Sequence, residues 1–336
     1  LDVLDTMAQS GIYDHIEGGF FRYSTDAAWQ IPHFEKMLYT NAELLHHYLQ
    51  AYILTNKVFY KKVIMQTLAM IDTRFSVENL YYSASNADSN TQKHEHEEGA
   101  YFIYSVQEPE KTLSLYKEHQ RKKLQDAFAL DDFPNFENNY HISYQKSVTT
   151  PLMQHFIEQL KLLRAEKIYP FIDKKINTAW NAMMIEVLFK LSSHFPHTQT
   201  IASHHLDALL SKQYQNGVLY HQSISPYPPT QKALLEDYAF LIPALIAGYE
   251  ATFDSRYLYL AIQLSDQVSK KFLKEHYWML SQDQAILADS QDKYYTAPQH
   301  KLQLALLHLS AITSDRKLHT LIQESAKKQK VQLTKN

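Results

Sequence analysis

The residue types that could carry chemistry are concentrated in one stretch near the start of the chain, residues 18–39. Arg22 supplies a fixed cation, Asp26 and Glu35 supply carboxylates, and His33 supplies a group that exchanges protons near neutral pH. Two adjacent glycines and six aromatic residues accompany them. The stretch indicates a functional site, with pairing of Arg22 and Asp26 across a tight loop as the plain structural alternative.

The same stretch predicts a loop that leads into a helix. The adjacent glycines permit backbone angles that other residues avoid, and Pro32 suits a first helical turn. Apolar residues then recur at helical spacing from Phe34 onward. His33 and Glu35 diverge on such a helix, so a shared role requires them to straddle its start.

Further candidates lie at predicted helix starts or in the segments that link helices. They are Asp88, Glu98, Trp180, Asn181, Asp237 and Tyr238. Structural roles compete with function at several of these positions. Asp237 and Asn181 are good helix N-caps. Trp29 and Trp180 suit a hydrophobic core as well as the C–H face of a sugar ring.

A charged run from Lys93 to Glu98 raises the question of a metal site, because imidazole and carboxylate groups bind zinc or manganese. It lacks the two histidines four residues apart, with a distal ligand, that define helical zinc sites. A run this hydrophilic is typical of a solvated loop, so we predict no metal site. Motifs of P-loop nucleotidases, Rossmann dehydrogenases and G-x-S-x-G hydrolases do not occur, and we expect no cofactor.

The composition is that of a globular, helix-rich chain, with 45% hydrophobic residues and only 6 glycines among 336. The 33 basic and 36 acidic residues nearly balance, so nucleic acid is not an expected partner. Cysteine is absent from this sequence, which excludes disulfides and cysteine nucleophiles within it. No apolar run is long enough to span a bilayer and no apolar leader opens the chain, so we expect no membrane partner and a cytoplasmic location.

A helical hairpin recurs along the chain. Residues 41–75 and 238–272 each predict two helices, and a gapless overlay matches their apolar and tyrosine positions. A looser copy covers 181–214, a fourth covers 302–322, and one further helix fits 150–166. One hairpin alone cannot bury its apolar face, so the repeat predicts a solenoid or a closed toroid.

Short β-like runs between the helices decide between these two architectures. They cover residues 79–84, 100–105, 140–144, 218–222 and 277–280. The links that contain them are long, uneven and polar, whereas solenoid repeats have short and uniform links. We therefore predict an all-α toroid with short β-hairpins in the inter-helix loops, formed as one domain whose helix starts point at a central cavity.

A set of motifs distributed along the chain carries a family resemblance. They lie at residues 11–14, 18–20, 22–24, 26, 29 and 32–39, then at 88–89, 98–99, 164, 170, 173, 175, 178, 180–181 and 237–239. On these motifs the chain closely resembles the YyaL or spermatogenesis-associated protein 20 family over nearly its whole length. The resemblance implies a thioredoxin-like domain followed by an (α/α)6 toroid, similar to N-acylglucosamine 2-epimerases and six-hairpin glycosidases.

The resemblance also sets the expected domain boundaries. Residues 1–326 are expected to be the toroid without its first helix or helices, and 327–336 a frayed polar tail. The thioredoxin-like domain is then expected upstream, as a partner in the full-length protein. That would explain both the missing cysteines and the start of the chain at Leu1.

The chain departs from the family pattern at several positions. Glu17 replaces a usual glycine, Phe21 a usual histidine, and Ala182 the glycine usual after Trp-Asn. Ala-Pro-Gln-His at 297–300 replaces a usual Pro-Ser-Gly-Asn. If the histidine at position 21 carries protons in relatives, this chain has lost that group or uses His33 instead.

The leading functional hypothesis is a carbohydrate-active protein that epimerises or isomerises a small-molecule sugar. His33 is its predicted general acid or base. Glu35, Asp26 or Asp237 is predicted to orient that histidine. The predicted substrate contacts are Arg22, Tyr23, Trp29, Asp88, Glu98, Trp180, Asn181 and Tyr238.

Two other hypotheses stay open. Glycoside hydrolysis would use a pair of carboxylates across the cavity. The candidates for that pair are Asp26, Glu35, Asp88, Glu98 and Asp237. The third hypothesis is a non-catalytic ligand-binding or interaction module that works with the upstream thioredoxin-like domain.

Overall fold

The structure is a computed structural model, and it describes residues 1–91, 95–130 and 134–333. The helices of this part are α1 (Asp2–Gln9), α2 (Leu38–Thr55), α3 (Val58–Phe75), α4 (Gln107–Leu113), α5 (Glu118–Phe128), α6 (Pro151–Ala165), α7 (Thr178–Leu191), α8 (His197–Gln213), α9 (Leu235–Thr252), α10 (Ser255–Phe272), α11 (Pro298–Thr313) and α12 (Arg316–Leu333). Helices dominate, so the predicted all-α class is confirmed. None of these described helices is both long and apolar enough to cross a membrane.

The strands are only two or three residues long and lie in the links between helices. They are β1 (Tyr23–Ser24), β2 (Pro32–His33), β3 (Lys36–Met37), β4 (Ser76–Val77), β5 (Leu80–Tyr81), β6 (Ala84–Ser85), β7 (Asp88–Asn90), β8 (His96–Glu98), β9 (Tyr104–Ser105), β10 (Asn139–Tyr140), β11 (Ile172–Asp173), β12 (Ile176–Asn177), β13 (Tyr214–Gln215), β14 (Val218–Leu219), β15 (Gln222–Ser223), β16 (Leu273–Lys274) and β17 (Tyr277–Trp278). The five predicted β-like runs all contain or overlap such strands. Short β-hairpins in the links are therefore confirmed.

The Cα positions divide the chain into two compact units. The first unit contains Leu1–Ser76 and Ser83–Asp173, so it holds α1 to α6. The second contains Val77–Tyr82 and the residues from Lys174 onward, so it holds α7 to α12. A single domain over residues 1–326 stays a prediction.

Three helical hairpins are built with the same turn. The pairs α2/α3, α9/α10 and α11/α12 are each joined by two residues, of which the first has a left-handed backbone. These are Asn56, Phe253 and Ser314, with φ angles of 52°, 58° and 58°. In each pair, the threonine that ends the first helix donates its hydroxyl to the carbonyl four residues earlier. The predicted hairpins are confirmed, with α7 and α8 as the looser copy.

Helix α12 continues to Leu333, well beyond the predicted end of the fourth hairpin. The predicted frayed tail at 327–336 lies partly in this helix and partly outside the described residues. Fraying itself therefore stays a prediction.

Two β-hairpins of the second unit close with left-handed turns. Asn216 and Gly217 join β13 to β14 with φ angles of 51° and 77°. Glu275 and His276 join β16 to β17 with φ angles of 49° and 72°. Two positive φ angles in a two-residue turn match the right-handed twist of the flanking strands. The β-hairpins that follow α8 and α10 thus close with the same kind of turn.

The helix predicted to begin at Pro32 begins instead at Leu38, so that prediction is wrong. Pro32 lies in β2, which pairs with β1, and Lys36 lies in β3, which pairs with β6. The backbone between them is extended because the carbonyl of Glu35 accepts a hydrogen bond from the N–H of Arg22 at 2.8 Å. Two polar helices, α4 and α5, were not predicted from the sequence.

The first unit contains a buried carboxylate, Asp14, held by two cations. Arg164 Nη1 donates to both of its oxygens, at 2.8 and 2.9 Å, and Lys36 Nζ donates to Oδ2 at 2.7 Å. All three side chains are at most 2% exposed. Burial acts to raise the pKa of the Asp14 carboxyl, but the two cations hold it far below its ordinary value. The three groups therefore form an ion cluster without solvent.

The adjacent glycines complete this cluster. Gly18 and Gly19 have φ angles of 86° and 80°, which confirms the predicted glycine loop. A Cβ atom on Gly18 would lie 2.5 Å from the carbonyl oxygen of Gln66. The carbonyl of Gly18 itself accepts a hydrogen bond from Lys36 Nζ at 2.9 Å. Close approach and a left-handed backbone both require glycine here.

Replacing Arg164 with Met is expected to lower the free energy of unfolding by about 3–5 kcal/mol, because it leaves the buried Asp14 with one partner fewer. Urea denaturation followed by circular dichroism measures the change. Arg256→Met is the matched control, since it breaks an exposed pair with Asp254 and is expected to have little effect. Similar small effects for both variants would contradict the importance of the buried cluster.

Candidate functional site

In the first unit, β1 and β2 place Tyr23 directly opposite His33. The two rings stack with centroids 5.0 Å apart and planes at 19°. His33 Nδ1 lies 2.7 Å from Glu98 Oε1, and its Nε2 lies 3.9 Å from Glu35 Oε2. The side chain of His33 is 28% exposed. Four predicted site residues therefore meet at one place, around a histidine held by a carboxylate.

An ion pair lies beside this histidine. Arg22 Nη1 donates to Glu35 Oε2 at 2.8 Å, and both side chains are half-buried. The expected alternative, in which Arg22 pairs with Asp26, is wrong. Glu35 instead pairs with Arg22, and the same Glu35 oxygen lies 3.9 Å from His33 Nε2.

Asp26 organises its own loop. Its carboxylate accepts hydrogen bonds from the backbone N–H groups of Ala28, Gln30 and Ile31, at 2.8, 3.0 and 2.6 Å. Burial acts to raise the pKa of this carboxyl, but the backbone hydrogen bonds outweigh it and hold the pKa below its usual range. Trp29, in the same loop, is half-buried with a φ angle of 58°. Catalysis by Asp26 and sugar binding by Trp29 stay predictions.

The charged link of the first unit is a short β-hairpin. Asp88 lies exposed in β7, opposite Glu98 in β8. Lys93 and His94, which raised the question of a metal, lie outside the described residues. Within the described ranges, no group of three or more His, Cys, Asp or Glu side chains is arranged to hold a metal ion.

Phe21, where the family usually has histidine, lies inside an aromatic cluster. Its ring meets those of Phe34 and Phe102 edge to face, at centroid distances of 5.3 and 4.9 Å. His141 lies against the same ring, and burial lowers the pKa of its imidazole to about 4, so it stays neutral. Phe21 is completely buried. In this chain position 21 therefore belongs to the core.

In the second unit, Asn181 binds backbone groups. Its Oδ1 accepts from Tyr81 N at 2.8 Å, and its Nδ2 donates to Tyr81 O at 3.0 Å and to Asn177 O at 2.9 Å. Asn177 is the N-cap of α7, since its Oδ1 accepts from Trp180 N at 2.9 Å. The N-cap alternative for Asn181 is therefore wrong. A substrate contact for this buried amide stays a prediction.

The aromatic residues predicted for the second unit lie in different surroundings. Trp180 is half-buried in the first turn of α7. Tyr238 is 2% exposed, and its ring packs on Phe272 at a centroid distance of 5.4 Å. Its hydroxyl reaches Gln267 at 3.5 Å. Tyr238 thus packs between α9 and α10, and sugar contacts for both aromatic residues stay predictions.

The second unit contains a histidine–carboxylate pair that the sequence analysis did not predict. His221 Nδ1 lies 2.9 and 3.2 Å from the two oxygens of Asp237, and 3.7 Å from Glu236 Oε1. Asp237 lies in the first turn of α9, where its Oδ2 also accepts from Leu234 N at 2.8 Å. The backbone N–H of His221 donates to Gln231 O at 2.9 Å. Backbone hydrogen bonds therefore position both partners.

Burial and the contact between the two groups act in opposite directions on the pKa of each. Asp237 is fully buried, and burial raises the pKa of its carboxyl to about 6 despite the hydrogen bond from His221. Burial acts to lower the pKa of His221, but the hydrogen bond and charge of Asp237 outweigh it and the pKa is raised. Since Nδ1 faces Asp237, Nε2 is the nitrogen available to exchange a proton with a ligand.

A cavity of about 260 Å³ is lined by Glu236, whose Oε1 lies 3.7 Å from His221 Nδ1, whereas His221 and Asp237 themselves are not part of its wall. Leu235, Tyr294 and Tyr295 are among the other residues of its wall. The hydroxyl of Tyr295 donates a hydrogen bond to the carboxylate of Glu236. The cavity wall therefore holds two tyrosines and a carboxylate, and that carboxylate lies 3.7 Å from the His221 imidazole.

Three residues of this site, His221, Glu236 and Tyr295, were not predicted. His221 is one of 18 histidines and follows a hairpin turn without any motif of its own. The one available signal was the adjacent acidic pair at the start of the best repeat helix, and it indicated Asp237 alone. The expectation that the predicted residues of the whole chain line one pocket stays a prediction.

Comparison with known proteins finds relatives of low sequence identity. Spermatogenesis-associated protein 20 of Homo sapiens is 29% identical over 319 residues, which cover 81% of this chain and 40% of the human protein. The protein of the same name from Mus musculus is 29% identical over 315 residues, with the same two coverages. The resemblance noted from the motifs is confirmed, and the chain spans about two fifths of the length of these relatives. No protein-family model matches the chain.

Two solved structures share the fold. A sugar epimerase from a ruminal bacterium matches with a TM-score of 0.58 and 9% identity, over 96% of this chain and 68% of its own. Cellobiose 2-epimerase from Spirochaeta thermophila matches with a TM-score of 0.57 and 10% identity, over 97% and 68%. At such identities the likeness shows the fold alone. It is the (α/α)6 toroid that the family resemblance implied.

Replacing Asp237 with Asn is expected to lower the pKa of His221, because the amide keeps the imidazole buried but removes the charge that raises its pKa. An NMR titration of the His221 ring protons measures the change. Asp207→Asn is the control, since Asp207 binds Tyr257 in the same unit. A His221 pKa that stays the same or rises in the Asp237 variant would contradict this assignment.

Proposed function

We propose that the protein is a sugar epimerase or isomerase in which a carboxylate-bound histidine moves a proton at the carbon next to the carbonyl. The observation that carries the proposal is the His221–Asp237 pair, with its contact of 2.9 Å and with Glu236, 3.7 Å from His221, in the wall of a cavity. The fold supports it, because the two structures described above are sugar epimerases by name. Fold alone does not determine the reaction, so the proposal rests on the pair.

The proposed chemistry begins with an open-chain aldose. Nε2 of His221 removes the proton from C2, and the electron pair of the broken C–H bond forms a C1–C2 double bond while the carbonyl oxygen gains a proton. Return of a proton from solvent to C2 on the opposite face, with loss of the C1 hydroxyl proton to re-form the carbonyl, gives the epimer. Return to C1, with loss of the hydroxyl proton at C2, gives the ketose. Proton transfer by a positioned side chain contributes about 10²–10⁴-fold to such steps.

Asp237 has two tasks in this proposal. Its oxygens accept from Nδ1–H, which keeps Nε2 unprotonated in the neutral imidazole and ready to act as a base. Its negative charge then stabilises the imidazolium that forms when the proton is taken. The raised pKa of His221 agrees with this role. Glu236, 3.7 Å from His221, and its partner Tyr295 are placed to bind sugar hydroxyls.

His33 of the first unit keeps its predicted role as a second candidate base. Its Nδ1 is also bound by a carboxylate, Glu98, at 2.7 Å. This pair is more exposed, with 28% and 44% of the two side chains accessible, so solvent screens it more strongly. His221 and Asp237, at 12% and 0%, are better fixed. We therefore place the main proton transfer at His221.

Glycoside hydrolysis has weaker support. It needs two carboxyl groups that are available to a glycosidic bond. Four of the five carboxylates predicted for that reaction already have strong partners, and they are Asp26, Glu35, Glu98 and Asp237. The upstream thioredoxin-like partner stays part of the proposal for the full-length protein, since this chain spans two fifths of its relatives.

The protein is expected to exchange the C2 proton of a neutral aldose with solvent. Incubation of D-glucose, D-mannose and cellobiose in heavy water, followed by proton NMR, measures the loss of the C2–H signal. His221→Asn is expected to slow the exchange by about 10²-fold or more. His33→Asn is expected to slow it less.

His308→Asn is the matched control for this experiment. His308 also binds a carboxylate, Glu250 at 2.9 Å, but its side chain is 52% exposed. The control is expected to exchange like the wild type. Lack of C2–H exchange in the wild type, or full exchange in His221→Asn, would contradict the proposal.

A further inference from the structure

The size of the cavity that Glu236 lines limits which sugars it can accept. Its volume is about 260 Å³. Pockets for drug-sized ligands occupy about 300–1,000 Å³, so this cavity is suited to a smaller ligand. A single sugar ring is of that smaller class, whereas an oligosaccharide would extend beyond the cavity.

The wall of the cavity combines apolar and hydrogen-bonding groups. Leu235, Leu280 and Pro298 supply apolar surface, and Tyr295 supplies an aromatic ring. Glu236 is a carboxylate in this wall, and its Oε1 lies 3.7 Å from His221 Nδ1. Apolar walls with a few placed polar groups are typical of small-molecule sites. A sugar ring matches this pattern, with C–H groups for the walls and hydroxyls for the carboxylate.

The charges at the cavity do not favour an anion. Lys293 Nζ lies 2.6 Å from Asp289 Oδ2, and both residues line the cavity. Their hydrogen bond lowers the pKa of Asp289 and raises that of Lys293, so both stay ionised and balance each other. Among the described residues that line this cavity, Lys293 is the only Lys or Arg.

Because the charges of Lys293 and Asp289 cancel, Glu236 gives the cavity wall a net negative charge. Its carboxylate accepts from Tyr295, an uncharged donor. Sites that bind phosphates and carboxylates usually use Arg or Lys to do so. A phosphate or carboxylate on the ligand would be repelled by Glu236, since Lys293 is paired with Asp289 and the imidazole 3.7 Å from Glu236, that of His221, is paired with Asp237.

We infer that this cavity binds one uncharged sugar ring and rejects sugars that carry a phosphate or a carboxylate. The inference rests on the proposed function for its choice of a sugar. It goes beyond that function because it assigns the cavity, the size of the ligand and its charge. Glu236 is the residue that excludes anions, and Leu280 is part of the wall that receives the ring.

Binding, measured without turnover, tests this inference. Saturation-transfer NMR and calorimetry at low salt compare D-mannose and D-glucose with D-mannose 6-phosphate and D-glucuronate. The uncharged sugars are expected to bind at least about tenfold more tightly than the anionic ones. Added salt is expected to narrow this difference, because it screens the repulsion from Glu236.

Two variants locate the effect. Glu236→Gln keeps the size of the side chain but removes its charge, so it is expected to bring the affinities for anionic and uncharged sugars close together. Leu280→Trp fills the cavity and is expected to abolish binding of the uncharged sugars. Glu250→Gln, at a surface carboxylate bound to His308, is the control and is expected to behave like the wild type. Circular dichroism checks that each variant is folded.

The results separate this inference from the proposed reaction. Binding of anionic sugars as tightly as uncharged ones, unchanged selectivity in Glu236→Gln, or no sugar binding at all would overturn the inference. Selective binding of uncharged sugars without C2–H exchange would overturn the proposed reaction and leave the inference standing. Exchange of C2–H in a protein that prefers anionic sugars would overturn the inference and leave the proposed reaction standing.

Discussion

The first unit depends on one buried charge, the carboxylate of Asp14. A carboxylate without water is costly unless cations and hydrogen bonds surround it, so Asp14 requires both Lys36 and Arg164. The two cations come from β3 and from the last turn of α6, and the cluster therefore joins three distant parts of the chain. Lys36 directly follows Glu35 in sequence. The constraint that fixes Lys36 consequently also fixes the strand segment that presents His33 and Glu35.

A second stabilising contact, a side-chain amide bound to backbone groups, recurs at the starts of α2 and α7. Asn41 and Asn181 are each the fourth residue of their helix. Each side-chain amide accepts a hydrogen bond from the N–H of one residue in a preceding link and donates one to the carbonyl of that same residue. The residue is Phe20 for Asn41 and Tyr81 for Asn181. Each Nδ2 also donates to the carbonyl four residues earlier. Between α2 and α7 the likeness therefore extends beyond the apolar pattern to buried hydrogen bonds, which join helix starts to the preceding links.

Local pattern explains which parts of the fold could be predicted. The hairpins followed from apolar spacing, because an amphipathic helix is encoded within a few turns. Helix α5 was missed because it is strongly hydrophilic, and the short helix α4 before it was missed as well. The start of α2 was misplaced because long-range partners hold Lys36 in strand β3. The residues of the His33 group were all candidates because most of them are neighbours in sequence, but Glu98, which binds His33, was predicted only as a substrate contact. The His221–Asp237 pair was not predicted, because 15 residues that include β15 separate its members and no spacing rule indicates their contact.

The proposed catalytic function depends on proton transfer by His221, and one paired measurement tests it most directly. The pKa of the His221 imidazole is determined by NMR, and the rate of C2–H exchange on a neutral aldose is followed across pH in the same buffer. If His221 is the base, the exchange rate rises with pH and its midpoint coincides with the His221 pKa, and both move down together in Asp237→Asn. A midpoint that differs from the His221 pKa, or stays fixed when that pKa moves, would contradict the account.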